Sequence, residues 1–240
     1  MTVRAAIIGA SGGIGAAFLD ELVQRRGVGE CYALARSPQR VAAGAMRVLP
    51  LDLRDEPGIA AAAAAIAADG PLDLVLVATG ALTLDDGSGP EKSLRALDPA
   101  AMADAYAINA IGPALVAKHF LPLLPRDRRG VFAALSARVG SISDNRLGGW
   151  HSYRAAKAAL NMLVRTAAIE LGRTHREALA VTLHPGTVDT GLSAPFQRGV
   201  APGKLFSPAQ SAGYLLDVLD TLTPADSGHC FAWDGQRIAF

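Results

Sequence analysis

The chain has 240 residues, half of them hydrophobic and 19% charged, with 23 Lys and Arg against 22 Asp and Glu. A formal net charge of +1 gives no electrostatic pull towards nucleic acid or an anionic membrane surface. No apolar run reaches the roughly 18 residues of a membrane span, so the composition points to a large buried core. The opening MTVRAAIIGASGG enters a strand and a glycine turn at once, which leaves no room for a signal peptide. Cys31 and Cys230 stand alone, and His119, His151, His175, His184 and His229 lack metal-ligand spacing. The expectations are a reducing cytoplasm and no metal.

Val3–Ile8 reads as a first strand, followed by a glycine turn and a helix over Gly13–Arg26. Strands at Cys31–Ala35 and Met46–Leu51 precede a helix over Glu56–Ala68, whose six consecutive alanines are strong helix formers. Leu72–Ala78 is a fourth strand, Pro99–Leu124 a long helix and Gly130–Leu135 a fifth strand. The helix Ser152–Gly172 leads to a strand at Leu179–His184. A helix over Pro208–Leu222 and a last strand near Cys230–Trp233 close the pattern. Repeated strand–helix alternation predicts an α/β fold, a doubly wound parallel sheet of about seven strands with helices on both faces. No linker divides residues 1–240, so one domain is expected. The loop at about 190–207, rich in Pro and Gly between Ser193 and Ser207, is either a substrate lid or an inert surface loop.

Two features carry chemistry. Gly9, Gly13 and Gly15 fall between the first strand and the first helix, where a pyrophosphate can approach backbone N–H groups at a helix N-terminus. Their spacing, G-x-x-x-G-x-G, differs from the general dinucleotide fingerprint G-x-G-x-x-G. The same stretch also matches a hydrolase elbow around Ser11, although so early a position leaves nothing before it to build an oxyanion hole. Tyr153 and Lys157 stand about one helical turn apart, so a phenol and an ammonium share a face. An ammonium beside a phenol favours the phenolate, and the expectation is a lowered tyrosine pKa.

With the glycine turn, Asn109 in AYAINAIGPAL and the Tyr153/Lys157 pair in this order, the chain resembles the classical short-chain dehydrogenase/reductases along nearly its whole length. Through ARVGSISDNRLGGWHSYRAAKAALN and GHCFAWDGQRIAF it resembles their C-factor-like branch. The resemblance implies a Rossmann-type fold, with Tyr153 as acid/base and Lys157 tuning it and binding the nicotinamide ribose. It further implies Asn109 holding a relay water. Gly9, Ser11, Gly12, Gly13, Ile14 and Gly15 would bind the cofactor phosphates, and Asp52 and Leu53 the adenine. Ala78, Thr79 and Gly80 would lie beside the adenosine ribose. Pro185, Gly186, Val188 and Thr190 would meet the nicotinamide end.

Two positions depart from that pattern. The usual Asn-Asn-Ala-Gly is Val77-Ala78-Thr79-Gly80, and Thr79 is expected to supply part of the lost hydrogen bonding. The usual catalytic serine is Ala137. Ser136 should face the other way on an extended strand, and Ser141 is the candidate replacement, the alternative being that Tyr153 acts alone. Arg36 and Ser37 end the second strand, with no carboxylate there, which implies NADP(H) over NAD(H). Trp150, His151 and Ser143 are expected around the substrate. The implied activity is carbonyl–alcohol interconversion on a small molecule by a homodimer or homotetramer. A C-factor-type sensor that binds dinucleotide with little turnover is the alternative.

Overall fold

The computed structural model describes residues 3–26, 28–41 and 47–240. β1 (Arg4–Ile8), β2 (Glu30–Ala35), β3 (Arg47–Pro50), β4 (Leu74–Val77), β5 (Gly130–Leu135) and β6 (Ala178–His184) lie parallel in one sheet. The short β7 (Thr187–Val188) and β8 (Leu205–Phe206) pair with each other apart from it. β9 (Cys230–Ala232) adds a seventh parallel strand, and β10 (Arg237–Ile238) closes that edge antiparallel to β9. The order is β10-β9-β6-β5-β4-β1-β2-β3. β10 is the one strand of this sheet beyond the expected seven. Met46, the expected start of the third strand, lies outside the described residues.

Both faces of the sheet are covered. Ala5, Ile7 and Leu76 pack beneath α1 (Gly13–Asp20) through Phe18 and Leu19, and beneath Leu215 and Leu219 on the last helix. Ala6, Ile8, Val75 and Val77 face the opposite layer. That layer holds α2 (Glu56–Ala67), which contributes Ile59 and Ile66. α3 (Pro99–Tyr106) runs through a π turn at Ala107–Ile111 into α4 (Gly112–Phe120), which contributes Val116 and Phe120. α5 (His151–Leu171) adds Leu160 and Val164. α6 (Pro208–Thr221) completes the first layer. A strand buried on both faces must be apolar at every position, which explains the uninterrupted hydrophobic runs in the sequence. β3 is an edge strand, and its exposed Arg47 and terminal Pro50 suit a position with no further neighbour.

Pro99–Leu123 is 25 residues long with a mean hydropathy of 1.3, long and apolar enough to cross a membrane. In the fold it packs on α5 and on α2, with Ala105, Asn109, Val116 and Phe120 buried.

The N-terminus of α5 is fixed by a residue far away in sequence. Glu91, in the segment after β4, is only 9% exposed. One carboxylate oxygen accepts from the Ser152 N–H at 3.1 Å and the other from the Ser152 hydroxyl. Its carbonyl accepts from the Trp150 N–H at 2.5 Å. Trp150 has a left-handed backbone at φ +54°, alone among the described non-glycine residues, at a cost of about 1–2 kcal/mol. Burial pushes the Glu91 carboxyl up, but the Ser152 hydrogen bonds outweigh it and the net shift is downwards. A carboxyl with a depressed folded pKa adds stability that is complete above its unfolded value of 4.5 and is lost as pH falls through the folded one. Glu91→Ala should therefore lose about 2 kcal/mol at neutral pH in urea unfolding. The gap from wild type should narrow on acidification; a gap unchanged from about pH 7 to about pH 3 would remove this role.

Candidate active site

β1 neighbours β2 on one side and β4 on the other, so the chain reverses its winding direction there and leaves a crevice at the strands' carboxyl ends. A cleft of about 490 Å³ lies along those ends. Gly12, Gly13 and Ile14 border it on one side, Ala78, Thr79 and Gly80 beneath, and Tyr153, Lys157, Pro185, Gly186, Val188 and Thr190 on the other.

The glycine turn takes its shape from close backbone contacts. Gly9 has φ +90°, and a Cβ there would lie 2.8 Å from the Ala78 carbonyl oxygen. A Cβ on Gly15 would collide with the Gly9 carbonyl. The turn thus lies flat on the end of β4 and leaves the start of α1 open, with Ser11 exposed. No hydrogen bond among the described residues joins Ser11 to a histidine, and the hydrolase elbow finds no support.

Tyr153 and Lys157 rise from the buried face of α5, at 9% and 2% exposure. The Lys157 ammonium donates to the Leu135 carbonyl at 2.9 Å and stands 5.7 Å from the Tyr153 ring centre. Burial pushes the Tyr153 phenol up to about 12 and the lysine down to about 8. The expected lowering of the tyrosine pKa is therefore reversed. The ammonium spends its hydrogen bond on the backbone beside the ring, and desolvation of the phenolate dominates.

Asn109 is fully buried in the π turn. Its amide donates to the carbonyls of Ala81 at 2.9 Å and Ala105 at 3.0 Å, and its oxygen accepts from the Ala81 N–H at 3.1 Å. The bond to Ala105 is the helix-bending one, and the pair with Ala81 ties this helix to the chain leaving β4. A Cβ on Gly80 would lie 3.2 Å from the Asn109 oxygen and 3.4 Å from the Lys157 nitrogen. Asn109, Lys157 and Gly80 thus converge.

The serine expectation needs correcting. Ser141 is 2% exposed and outside the cleft lining. Its hydroxyl accepts from the Asp144 N–H at 3.1 Å and lies 3.4 Å from that of Ser143. The short helical turn Arg138–Gly140 brings the chain down onto α5 and turns Ser141 inwards. Ser136 points away as expected, donating to Asn161 on α5 at 2.8 Å. Thr79 also departs from expectation: its hydroxyl is enclosed without a partner, so it replaces none of the missing asparagine bonds.

Trp150 lines the cleft as expected, whereas His151 and Ser143 do not. Its ring meets Tyr153 edge-on at 6.3 Å and Phe196 at 5.2 Å. The loop Ser193–Ser207 thereby contributes Phe196 and Val200 to the rim. Leu82, Arg138, Val139, His184 and Leu192 also line it and were not singled out from sequence, and Ser136 and Ala137 border it as well. Asp52 accepts from the Arg54 N–H at 3.0 Å, and Leu53 packs against Gly112. Arg36, 63% exposed in its side chain, lies 3.5 Å from Asp85, which Arg54 also approaches at 3.4 Å. Sequence spacing gave no sign of either Asp85 or Arg54 beside Arg36. Among the described residues no three His, Cys, Asp or Glu side chains converge as metal ligands would.

The donor set suits a dinucleotide. A Cβ on Gly13 would reach within 2.7 Å of Thr190, so the absence of a side chain there keeps a channel open at the start of α1. Thr79 borders the same cleft, with its hydroxyl enclosed and without a partner.

Known proteins are similar to this chain in sequence and in fold. C-signal of Myxococcus xanthus is 34% identical over 169 residues, 70% of this chain and 93% of that one. The 1-hydroxy-2-glutathionyl-2-methyl-3-butene dehydrogenase of Rhodococcus sp. strain AD45 is 31% identical over 233 residues, 95% and 96% of the two chains. Among solved structures, the NADPH-bound carbonyl reductase from chicken fatty liver superposes with a TM-score of 0.83 at 26% identity, covering 100% of this chain and 95% of that one. A short-chain dehydrogenase/reductase from Burkholderia multivorans with bound NADP gives 0.81 at 25% identity with full coverage of both. The family model for short chain dehydrogenase matches residues 4–200, and the chain belongs to that family, in its C-factor-like branch.

Proposed function

We propose that the chain is an NADP(H)-dependent oxidoreductase interconverting a carbonyl and an alcohol on a small molecule. The observation that carries this reading is one cleft lined both by Tyr153 and Lys157 and by Gly12, Gly13 and Ile14 of the glycine turn, with the buried Asn109 meeting Lys157 at Gly80. Residues 1–240 act as one dinucleotide-binding unit, with the loop at about 190–207 as its substrate rim, in the cytoplasm.

Gly9, Ser11, Gly12, Gly13, Ile14 and Gly15 hold the phosphates, Asp52 and Leu53 the adenine, and Ala78, Thr79 and Gly80 the adenosine ribose. Pro185, Gly186, Val188 and Thr190 hold the nicotinamide end. When bound, the reduced nucleotide supplies the hydride. Tyr153 gives its proton to the carbonyl oxygen; held near 12 by burial, it is fully protonated at neutral pH and ready to act as an acid. Lys157, oriented by the Leu135 carbonyl, offsets the charge of the phenolate left behind. Asn109 holds the water that returns a proton. Alcohol oxidation needs the phenolate at the outset and is favoured by alkaline pH.

Tyr153→Phe should lower turnover by about 10²–10⁴-fold while cofactor fluorescence titrations remain unchanged. Full activity in that variant would defeat the mechanism, whereas a biological role kept by Tyr153→Phe would favour the sensor alternative.

Arg36, with Arg54 beside it, binds the 2′-phosphate in exchange for Asp85. Two structural neighbours, one with NADPH and one with NADP bound, support this choice. An exposed pair at 3.5 Å is weak, and a dianionic phosphate displaces it. Arg36→Ala should weaken NADPH binding at least about tenfold and leave NADH binding as it was. Equal loss for both nucleotides would refute the assignment.

The chain forms a homodimer or homotetramer through α4 and α5. Ile111, Met162 and Ile169 are 51%, 65% and 53% exposed there, an apolar strip that a second copy would bury. Met162→Asp should shift the sedimentation coefficient to that of a monomer; a monomeric wild type would rule the interface out.

A further inference from the structure

The cleft contains a titratable side chain that the reaction above leaves unused. His184 ends β6 just before the Pro185-Gly186 turn and lines the cleft with Tyr153, Ala137 and Arg138. The ends of β5 and β6 are joined there, the Ser136 N–H donating to the Leu183 carbonyl at 2.7 Å. His184 therefore lies about one strand spacing, roughly 4.8 Å, from the chain at Ser136 and Ala137.

Nearby hydroxyls are absent or committed. Ala137 has none, that of Ser136 is bonded to Asn161, and that of Ser141 faces away from the cleft. A carbonyl oxygen gaining negative charge before protonation meets no serine donor. His184 can supply one. Of its two ring nitrogens, only Nδ1 is enclosed without a partner. Burial first, and then the charge of Arg138, bring the imidazole down to about 4, with Asp234 opposing them. The ring is neutral at pH 7 and carries one proton. An N–H enclosed without an acceptor is unfavourable, so the proton resides on Nε2, on the open side of the ring.

We propose that His184 is a catalytic residue whose Nε2–H donates a hydrogen bond to the substrate carbonyl oxygen, the polarising role that Ala137 cannot fill. This rests on the carbonyl–alcohol reading above. His184 gives up no proton and forms no covalent bond; the transferred proton comes from Tyr153.

Two experiments test it. Nitrogen-15 NMR of the cofactor-free protein at neutral pH should show His184 as the neutral Nε2–H tautomer; an Nδ1–H tautomer or an imidazolium overturns the proposal. Reduction of 4-nitrobenzaldehyde by NADPH is then followed for wild type, His184→Ala and His184→Ala with Ala137→Ser. The single variant should lose about 10²-fold in kcat with NADPH binding and melting temperature preserved. The restored serine should recover at least about tenfold of that loss. Turnover of His184→Ala within about threefold of wild type, loss accompanied by weaker NADPH binding or melting, or no recovery in the double variant would each overturn it. A wild type that reduces no carbonyl substrate overturns the oxidoreductase reading as well, whereas an active wild type indifferent to His184 overturns only this proposal.

Discussion

Lys157 is 2% exposed, and its ammonium is stable there because the Leu135 carbonyl accepts a hydrogen bond from it at 2.9 Å. That bond links α5 to the end of β5 and fixes where the cleft's charged group stands. Tyr153 lies on the same face one turn earlier, so its position follows from the same contact. Gly140 allows the approach, since a Cβ there would lie 2.9 Å from the Lys157 backbone. Burial pushes the ammonium down from 10.5 to about 8, an unfavourable desolvation. The packing of α5 against the sheet through Leu160, Val164 and Leu171 carries that cost.

The strands were legible in the sequence because each central one is buried on both faces. Ile7 and Ile8 enter opposite cores, and such runs are apolar almost throughout, the buried Thr182 in β6 being an exception. β10 was not legible, since two residues, Arg237 and Ile238, carry no periodicity. Its position depends on the turn at Gly235, which returns the chain to β9. The Tyr153/Lys157 pair was visible from spacing alone, but the direction of the tyrosine's pKa was not. That direction depends on which acceptor the ammonium chooses and how much water the fold removes, and neither is written in a four-residue spacing. Ser141 failed for a related reason: counting residues along a loop cannot tell which way a helical turn rotates the hydroxyl.

Glu91 and His184 show a second kind of limit. Glu91 stands 61 residues from Ser152, in a segment whose sequence looks like ordinary surface loop. Its signal is a buried carboxylate at a helix start, which exists only once the chain has folded. His184 looked like one histidine among five, and its place in the cleft lining with Tyr153, visible only in the fold, sets it apart.

Three departures from local rules lie around α5, apart from the π turn at Glu21–Arg25 after α1. Trp150 is left-handed where glycine is usual, Asn109 occupies a π turn between α3 and α4, and the Thr79 hydroxyl is enclosed without a partner. Each costs stability, and none is needed to close the sheet or fill either core. Trp150 turns the chain so that its ring meets both Tyr153 and Phe196. The π turn directs Asn109 at Ala81 while its amide also holds the Ala105 carbonyl of its own helix. A fold optimised for stability alone would remove these features by substitution. Their grouping around the start of α5 therefore argues that the geometry of the cleft is what the chain holds in place against the cost.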